Sequence, residues 1–336
     1  MIEIDKVLNT ILNESIELPK ILVQGLTNNS SKVKKGYIFF AFKGENYDGN
    51  DFIEDAFKNG ACLAITDSNK LESQKNVVKV EDVRTAAGIA CSNFYNFPQN
   101  EVKLIGITGT NGKTSTSTIL KSILDAKNEK TIQIGTSGIK PSIEINPGLT
   151  TPDIFDLYEI LNYAVNENYK NVILEVSSHA LSQRRIENIF FDITAFTNLT
   201  HDHLDYHKTM AEYFSEKLKL FNLNKDNGSS VVMIDDEYGK RIAELNSNIK
   251  CISLKNEDAD YFCTSYSINS FGLAGTLAWD SETLDFESNL IGSFNLENLI
   301  LAASIAIELN ISAQSIAKGI ETVSYTHLRA HETLPN

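Results

Sequence analysis

The sequence predicts an α/β protein of two domains: a small N-terminal α/β unit, then a phosphate-loop domain built on a mostly parallel sheet. Three observations carry this expectation. The chain has 336 residues, more than one hydrophobic core usually organises. Short apolar runs, VKLIGIT (102–108), NVILEV (171–176), FDITAF (191–196) and SVVMID (230–235), alternate with helix-like stretches. Such runs are strands buried on both faces, as in a parallel sheet covered by helices. A Gly-rich turn separates the first run from a helical segment, and strand–Gly loop–helix is the context of a phosphate-binding loop.

The N-terminal domain is expected over residues 1–98. YIFFAF (37–42) and ACLAIT (61–66) read as buried strands, with DFIEDAFKN (51–59) as a helix capped by Asp51 between them. A second helix is expected over 83–95, and FPQN (97–100) reads as a linker. The central domain is expected over 99–322. Its first helix carries Leu120 and Leu124 one turn apart, and a helix from Asp153 carries Leu157, Ile160, Leu161 and Ala164 at helical spacing. Residues 264–290 read as hairpins and 298–309 as a closing helix. The stretch SYTHLRAHETLPN (324–336) fits nothing before it. His327 and His331 would share a metal-binding face if it were helical; the segment reads instead as a disordered or foreign tail beyond residue 322.

Composition narrows the function. A formal net charge of −14 argues against a nucleic-acid or anionic-membrane partner, though a local cluster of donors can still bind phosphates. No apolar run has the length of a signal-peptide core or a membrane span, so no membrane insertion and a cytoplasmic location are expected. Cys62, Cys91, Cys251 and Cys263 are widely spaced without metal-like pattern, and read as reduced thiols.

Three motifs carry chemistry. In GITGTNGKTS (106–115), Gly109 and Gly112 let the backbone close around phosphates, Lys113 can reach the β/γ-phosphates, and the Thr114 hydroxyl suits Mg²⁺. Five residues, not the four of the strict Walker form, separate Gly106 from Gly112. In LEVSSHAL (174–181), Glu175 ends a buried strand, where open α/β sheets place their ligands, and its carboxylate suits Mg²⁺; His179 alone is a weak signal. In TNLTHDHLDYHKTMAEYFSEKLKLF (197–221), His201, Asp202, His203, Asp205 and His207 fall within seven residues. That density fits a metal or proton-transfer site, and equally a polar helix entry capped by an aspartate. Lys217 and Lys219 read on sequence alone as solvated helix charges.

GTNGKT, EVSSHAL and THDHLDYHKTMAEYFSEKLKLF, in this order, resemble the Mur ligases, and within them the branch of UDP-N-acetylmuramoyl-tripeptide synthetases. The resemblance runs over residues 20–322. It implies a uridine-binding N-terminal domain, to which SSKVKKGYIFFAFKGENYDGNDFIEDAFKNGA (30–61) is similar. It also implies an ATP-dependent ligase that adds the third amino acid, meso-diaminopimelate or L-lysine, to UDP-MurNAc-L-Ala-D-Glu through an acyl phosphate.

On matching positions, the resemblance implies that Gly109, Thr110, Asn111, Gly112, Lys113, Thr114 and Ser115 bind ATP, with Asn295 and Asn298 near the adenine. Thr114, Glu175, His203 and Lys217 would serve two Mg²⁺ ions, Lys217 as a carbamylated lysine. Carbamylation turns an ammonium into a carboxylate, so a repelling cation becomes a ligand. Ser30, Thr150, Thr151, Ser177, Gln183 and Arg185 would touch the muramoyl peptide, and a monomer is expected. Departures from the family pattern are Asn29-Ser30-Ser31 in place of Asp-Ser-Arg, and His201 in place of Arg. A third, Rossmann-like domain, on the order of 100–150 residues in the family, has no counterpart here, so this chain is expected to bind substrates without full activity. Competing readings are another Mur or folylpolyglutamate-type ligase, and a non-catalytic nucleotide-binding module.

Overall fold

The computed structural model describes residues 1–12, 20–44, 47–69, 75–145, 148–245 and 248–323. The stretch with His327 and His331 lies outside the described residues. The chain divides into two compact units. The first comprises residues 1–101, 152–163 and 184–189, so it recruits two later segments; the second holds the remainder.

The first unit opens with β1 (Ile2–Glu3) and α1 (Ile4–Val7); β2 (Leu22–Val23) pairs antiparallel with β1. A four-stranded parallel sheet follows, in the order β3 (Gly25–Thr27), β4 (Tyr37–Phe40), β5 (Ala61–Thr66), β6 (Val77–Lys79). Between β4 and β5 lies α2 (Ile53–Lys58). The expected cap at Asp51 is corrected: Asp48 caps a 3-10 turn, Gly49–Phe52, by accepting from Asn50 N, and that turn runs into α2. Asp48 wins because its extended backbone lets the carboxylate turn back on the first free N–H groups, whereas Asp51 already lies inside the turn. After β6, α3 (Val83–Phe94) starts at Asp82, which accepts from Arg84 N and Thr85 N.

The second unit is built on one ten-stranded sheet. In chain order its elements are β7 (Lys103–Thr108), α4 (Lys113–Ala126), β8 (Thr131–Gly135) and β9 (Gly138–Lys140). Next is α5 (Ile154–Asn166), whose first residues are counted with the first unit. Asp153 caps it through Phe155 N and Asp156 N, as expected. Then come β10 (Asn171–Glu175), α6 (Ser178–Ser182), β11 (Phe191–Phe196), α7 (Leu204–His207) and α8 (Met210–Leu218). β12 (Asn224–Met233), α9 (Glu237–Ala243) and β13 (Ile249–Ser253) follow. The meander β14 (Tyr261–Asn269), β15 (Gly272–Trp279), β16 (Glu282–Ser288) precedes α10 (Ser293–Glu308) and α11 (Ala313–Thr322).

Strand order is β16-β15-β14-β13-β12-β11-β7-β10-β8-β9. β7, β8 and β10 to β14 are mutually parallel across the sheet's middle; β9, β15 and β16 are antiparallel additions at its ends. The closing helix α10 starts five residues before the expected Asn298, and α11 was not foreseen. Both helices join α4 in the main core, where Ile119, Leu120, Ile123 and Leu124 meet Leu299, Ile300, Ile316 and Ile320. No helix among the described residues is long and apolar enough to cross a membrane, and the four cysteines are free.

Candidate active site at the carboxyl ends of the central strands

Register explains why distant motifs meet. Ile107 of β7 lies opposite Glu175 of β10 on one side, and Thr108 lies opposite Phe196 of β11 on the other. The residues leaving these three strands therefore emerge side by side: the phosphate loop, Glu175 with the segment after it, and Thr197 onward. This is the crevice outside the carboxyl ends, where strand order changes direction, that open α/β sheets use for ligands.

The loop is shaped by contacts that only glycine permits at two places. Gly112 has φ +86, and a Cβ there would run into Asn298 Oδ1. Gly109 has φ +146, and a Cβ would run into Thr197 Oγ1. Asn298 Oδ1 also accepts from the Thr116 hydroxyl at 3.3 Å, so α10 reaches the start of α4. Asn295, on the same helix, donates Nδ2 to Ile291 O at 2.9 Å. Ser115 is buried in the first turn of α4.

Glu175 is wholly buried (0% exposed) and accepts from the Thr114 and Thr136 hydroxyls at 2.9 and 3.1 Å through Oε2. Its Oε1 is buried without a hydrogen-bond partner among the described residues. Burial raises this carboxyl above its ordinary range, more than the Thr114 hydrogen bond, Lys113 and Thr136 lower it. An orphaned carboxylate oxygen next to a threonine hydroxyl is a donor pair suited to a hard divalent cation. Thr151 Oγ1 donates to Glu175 O at 2.8 Å and accepts from Ser177 N at 3.0 Å, while Ser177 caps α6. Thr150 Oγ1 lies 3.3 Å from Thr136 Oγ1. Thr150, Thr151 and Ser177 thus gather around the end of β10, and Gln183 follows α6. Ser30 and Arg185 belong to the first unit; there Asn59 Nδ2 donates to Ser30 O at 3.0 Å.

The reading of Lys217 as a solvated charge is corrected. It is 1% exposed on α8, with Nζ donating to Gly109 O at 2.7 Å and lying 4.5 Å from the centre of the Tyr213 ring. Amphipathic spacing turns Tyr213, Phe214 and Lys217 inward together. Burial, then the charge of Lys113, holds the Lys217 ammonium well below its ordinary value, with Asp202 opposing. Lys219 does sit at the surface, paired with Glu216. Lys113 Nζ donates to Gly109 O and Thr110 O, both at 2.8 Å, and burial lowers its pKa against Glu175 and Asp202.

The His/Asp-rich segment separates into different roles. His207 is buried, its Nε2 2.8 Å from Ser178 Oγ and its ring stacked on Tyr213 at 5.1 Å. His203, at φ +51, packs edge-on against His179 at 4.9 Å, and Asp202 accepts from His203 N. His201 is exposed. Among the described residues, no group of three or more His, Cys, Asp and Glu is arranged to hold a metal.

Sequence reasoning singled out the segment after β11 but assigned no role to Asn198. Asn198 O accepts from Thr110 N at 2.8 Å, and Asn198 Oδ1 accepts from Asn111 N at 3.0 Å. Two amides of the phosphate loop are therefore engaged within the protein. The signal lay in the polar run TNLT directly after a buried strand.

Comparison with known proteins agrees with this geometry. A family model described as Mur ligase middle domain matches residues 107–306, and one described as Mur ligase family, catalytic domain, matches 22–95. The chain is 38% identical to a UDP-N-acetylmuramoyl-L-alanyl-D-glutamate–2,6-diaminopimelate ligase of Fusobacterium nucleatum, over 89% of this chain and 61% of the relative. It is 38% identical to the Aquifex aeolicus protein of the same name, over 90% of this chain and 62% of that one. The chain thus spans about three fifths of the length of these curated relatives. A solved structure of a ligase with that name superposes with a TM-score of 0.83 at 26% identity, covering 96% of this chain and 67% of the other. The MurF ligase of Thermotoga maritima in complex with ADP shares the fold, with a TM-score of 0.56 at 20% identity over 95% and 68% of the two chains. With the middle-domain model alone spanning more than half of its residues, the protein belongs to the Mur ligase family.

Proposed function

We propose that the chain forms the nucleotide-binding and UDP-sugar-binding part of a ligase that joins diaminopimelate to UDP-MurNAc-L-Ala-D-Glu at the expense of ATP. One observation carries the substrate choice. The 38% identity to diaminopimelate ligases extends across both units rather than the phosphate loop alone. In the proposed reaction a carboxylate oxygen of the D-glutamyl residue attacks the γ-phosphorus and ADP leaves. The amine of diaminopimelate then attacks the acyl carbon, the C–O bond breaks, phosphate leaves, and the nitrogen loses a proton.

The chain's own residues take these parts. Lys113 exchanges the carbonyls of Gly109 and Thr110 for phosphate oxygens, with Gly112, Thr114 and Ser115 offering the start of α4 to the anion. Asn295 and Asn298 lie on the adenine side. Thr150, Thr151, Ser177 and Gln183 are assigned to orient the muramoyl peptide in the second unit; Ser30 and Arg185 are assigned as substrate contacts of the first unit. Thr114, Glu175, His203 and Lys217 would hold two Mg²⁺ ions, supported by the orphaned Oε1 of Glu175. Bound magnesium would screen the charge that collects as phosphate meets carboxylate. Carbamylation of Lys217 forms an N–C bond to CO₂ with loss of a proton, and needs a neutral amine. Burial and the neighbouring Lys113 charge favour that form.

The test is calorimetry on the chain with UDP-MurNAc-L-Ala-D-Glu, UDP-MurNAc-L-Ala and Mg·ADP. Saturable binding of Mg·ADP and preference for the dipeptide form are expected. Equal affinity for the two UDP-sugars would sink the substrate assignment.

A further inference from the structure

A second loop grips the phosphate loop, and a carboxylate outside the site holds that second loop. Residues 197–200, leaving β11, make a dense set of bonds to Thr110 and Asn111. Thr200 N donates to Thr110 Oγ1 at 3.0 Å, and Asn111 Nδ2 donates to Thr200 Oγ1 at 3.1 Å. Thr197 Oγ1 and Asn198 Nδ2 both donate to Asn111 O, at 2.6 and 3.2 Å. Together with the two amide bonds to Asn198, they leave residues 110–111 little freedom.

Within this brace, Leu199 N points the other way. It donates to Asp236 Oδ2 at 2.9 Å, while Asp236 Oδ1 accepts from Gly239 N at 2.6 Å as the cap of α9. Asp236 thus ties the brace to the end of β12 without touching the phosphate loop. We propose that Asp236 is a positioning residue for the nucleotide: through Leu199 it holds residues 197–200 so that the phosphate loop is set before phosphate arrives. This rests on the nucleotide-binding reading above. A loop whose geometry is set in advance does not lose its freedom on binding, and affinity rises accordingly.

The neighbouring Asp235 supplies the control. It accepts from Ser253 Oγ and from Leu254 N, at the end of β13, rather than from the brace. Asp236→Ala and Asp235→Ala each orphan one backbone N–H outside a helix, so comparable losses of thermal stability are expected. Mg·ADP affinity, measured by calorimetry, should fall about tenfold in Asp236→Ala, the scale of one lost hydrogen bond to a charged group. Amide exchange at Thr110 and Asn111 should accelerate in the same variant. Asp235→Ala should leave both at the wild-type level. If Asp236→Ala fails to fold, Asp236→Asn, which keeps one acceptor, should give an intermediate shift. Wild-type affinity in Asp236→Ala, or an equal loss in Asp235→Ala, overturns the proposal. The exchange measurement needs no nucleotide: if the wild-type chain fails to bind Mg·ADP, the nucleotide reading falls, while exchange still decides whether Asp236 sets the loop.

Discussion

Lys217 and Gly109 stand 108 positions apart in the chain, yet the lysine Nζ donates to the glycine carbonyl at 2.7 Å. Lys113 Nζ donates to the same carbonyl at 2.8 Å. Two lysines therefore converge on one oxygen of the phosphate loop, and the pair is costly if both are charged. Burial and mutual repulsion resolve this by depressing Lys217 most. The result is a buried amine at the loop, held by α8.

Replacing Lys217 with Met keeps the length and apolar stem while removing the nitrogen. The fold should survive, because the buried space stays filled. In the ligase of which this chain is proposed to form part, ATP-dependent ligation should fall by at least about a hundredfold, as expected when a group acting in the transition state is removed. Stability should also respond to pH. The folded-state pKa of Lys217 lies below its unfolded value, so the unfolded chain holds the extra proton between them and stability rises with pH across that window. Lys217→Met should lose that rise, and denaturant melts from pH 7 to 10 would detect it.

Gly112→Ala tests the loop's shape. The residue sits at φ +86, and the new methyl meets Asn298 Oδ1. Strain at such a position is about 1–3 kcal/mol, and the displaced loop should bind Mg·ADP at least tenfold more weakly. Adding Asn298→Ala removes the clash but not the backbone strain, so the double variant should recover only part of the affinity in calorimetry.

How much of this was legible depends on how far each signal travels along the chain. The phosphate loop and Glu175 were readable because strand, turn and helix signals lie within a few residues of them. The burial of Lys217 was not, because its acceptor, Gly109 O, lies in the loop after β7 and nothing in FSEKLKLF marks which lysine turns inward. The Asp51 cap was a local error of three residues: Asp48 and Asp51 are equal in composition, and only the extended backbone at Asp48 chooses between them. Helix α11 escaped notice because its sequence, AQSIAKGIET, has few apolar residues; Ile316, Gly319 and Ile320 bury it against α4. The polar run TNLT was visible, but the bonds it makes as a brace were not, because hydrogen bonds between loops leave no periodicity.

Asp192 offers a pH test remote from the site. At the start of β11 it accepts from Leu104 N at 2.9 Å, Lys225 at 2.7 Å and Lys103 at 3.1 Å. Burial pushes its carboxyl up, but Lys225, the Leu104 amide and Lys103 together hold it below the ordinary value. Its contribution is therefore present above the unfolded Asp value, about 3.9, and is lost as pH falls through the lower folded value. Asp192→Asn should cost about 1–3 kcal/mol at pH 7 and flatten the acid limb of the stability curve. An unchanged acid limb in urea melts would show that the β7–β11 junction does not depend on this charge.

Glu175 sets stability against function. Its carboxyl titrates above the ordinary range when folded, because it is buried. The folded state then holds its proton longer than the unfolded state, and stability falls as pH rises through that window. Above that window the ionised form carries the desolvation cost. Glu175→Gln removes the charge and keeps an oxygen to accept from Thr114 or Thr136. The ligand-free variant should therefore gain about 1 kcal/mol, on the scale of a relieved buried polar group, and melt about 2–4 °C higher. Without the anionic oxygen, magnesium should no longer strengthen nucleotide binding, so the affinities for ADP with and without Mg²⁺ should converge. A variant that melts lower, or that keeps its magnesium dependence, would mean that Glu175 is a structural acid paired by its two threonines, and the cation would have to be sought elsewhere.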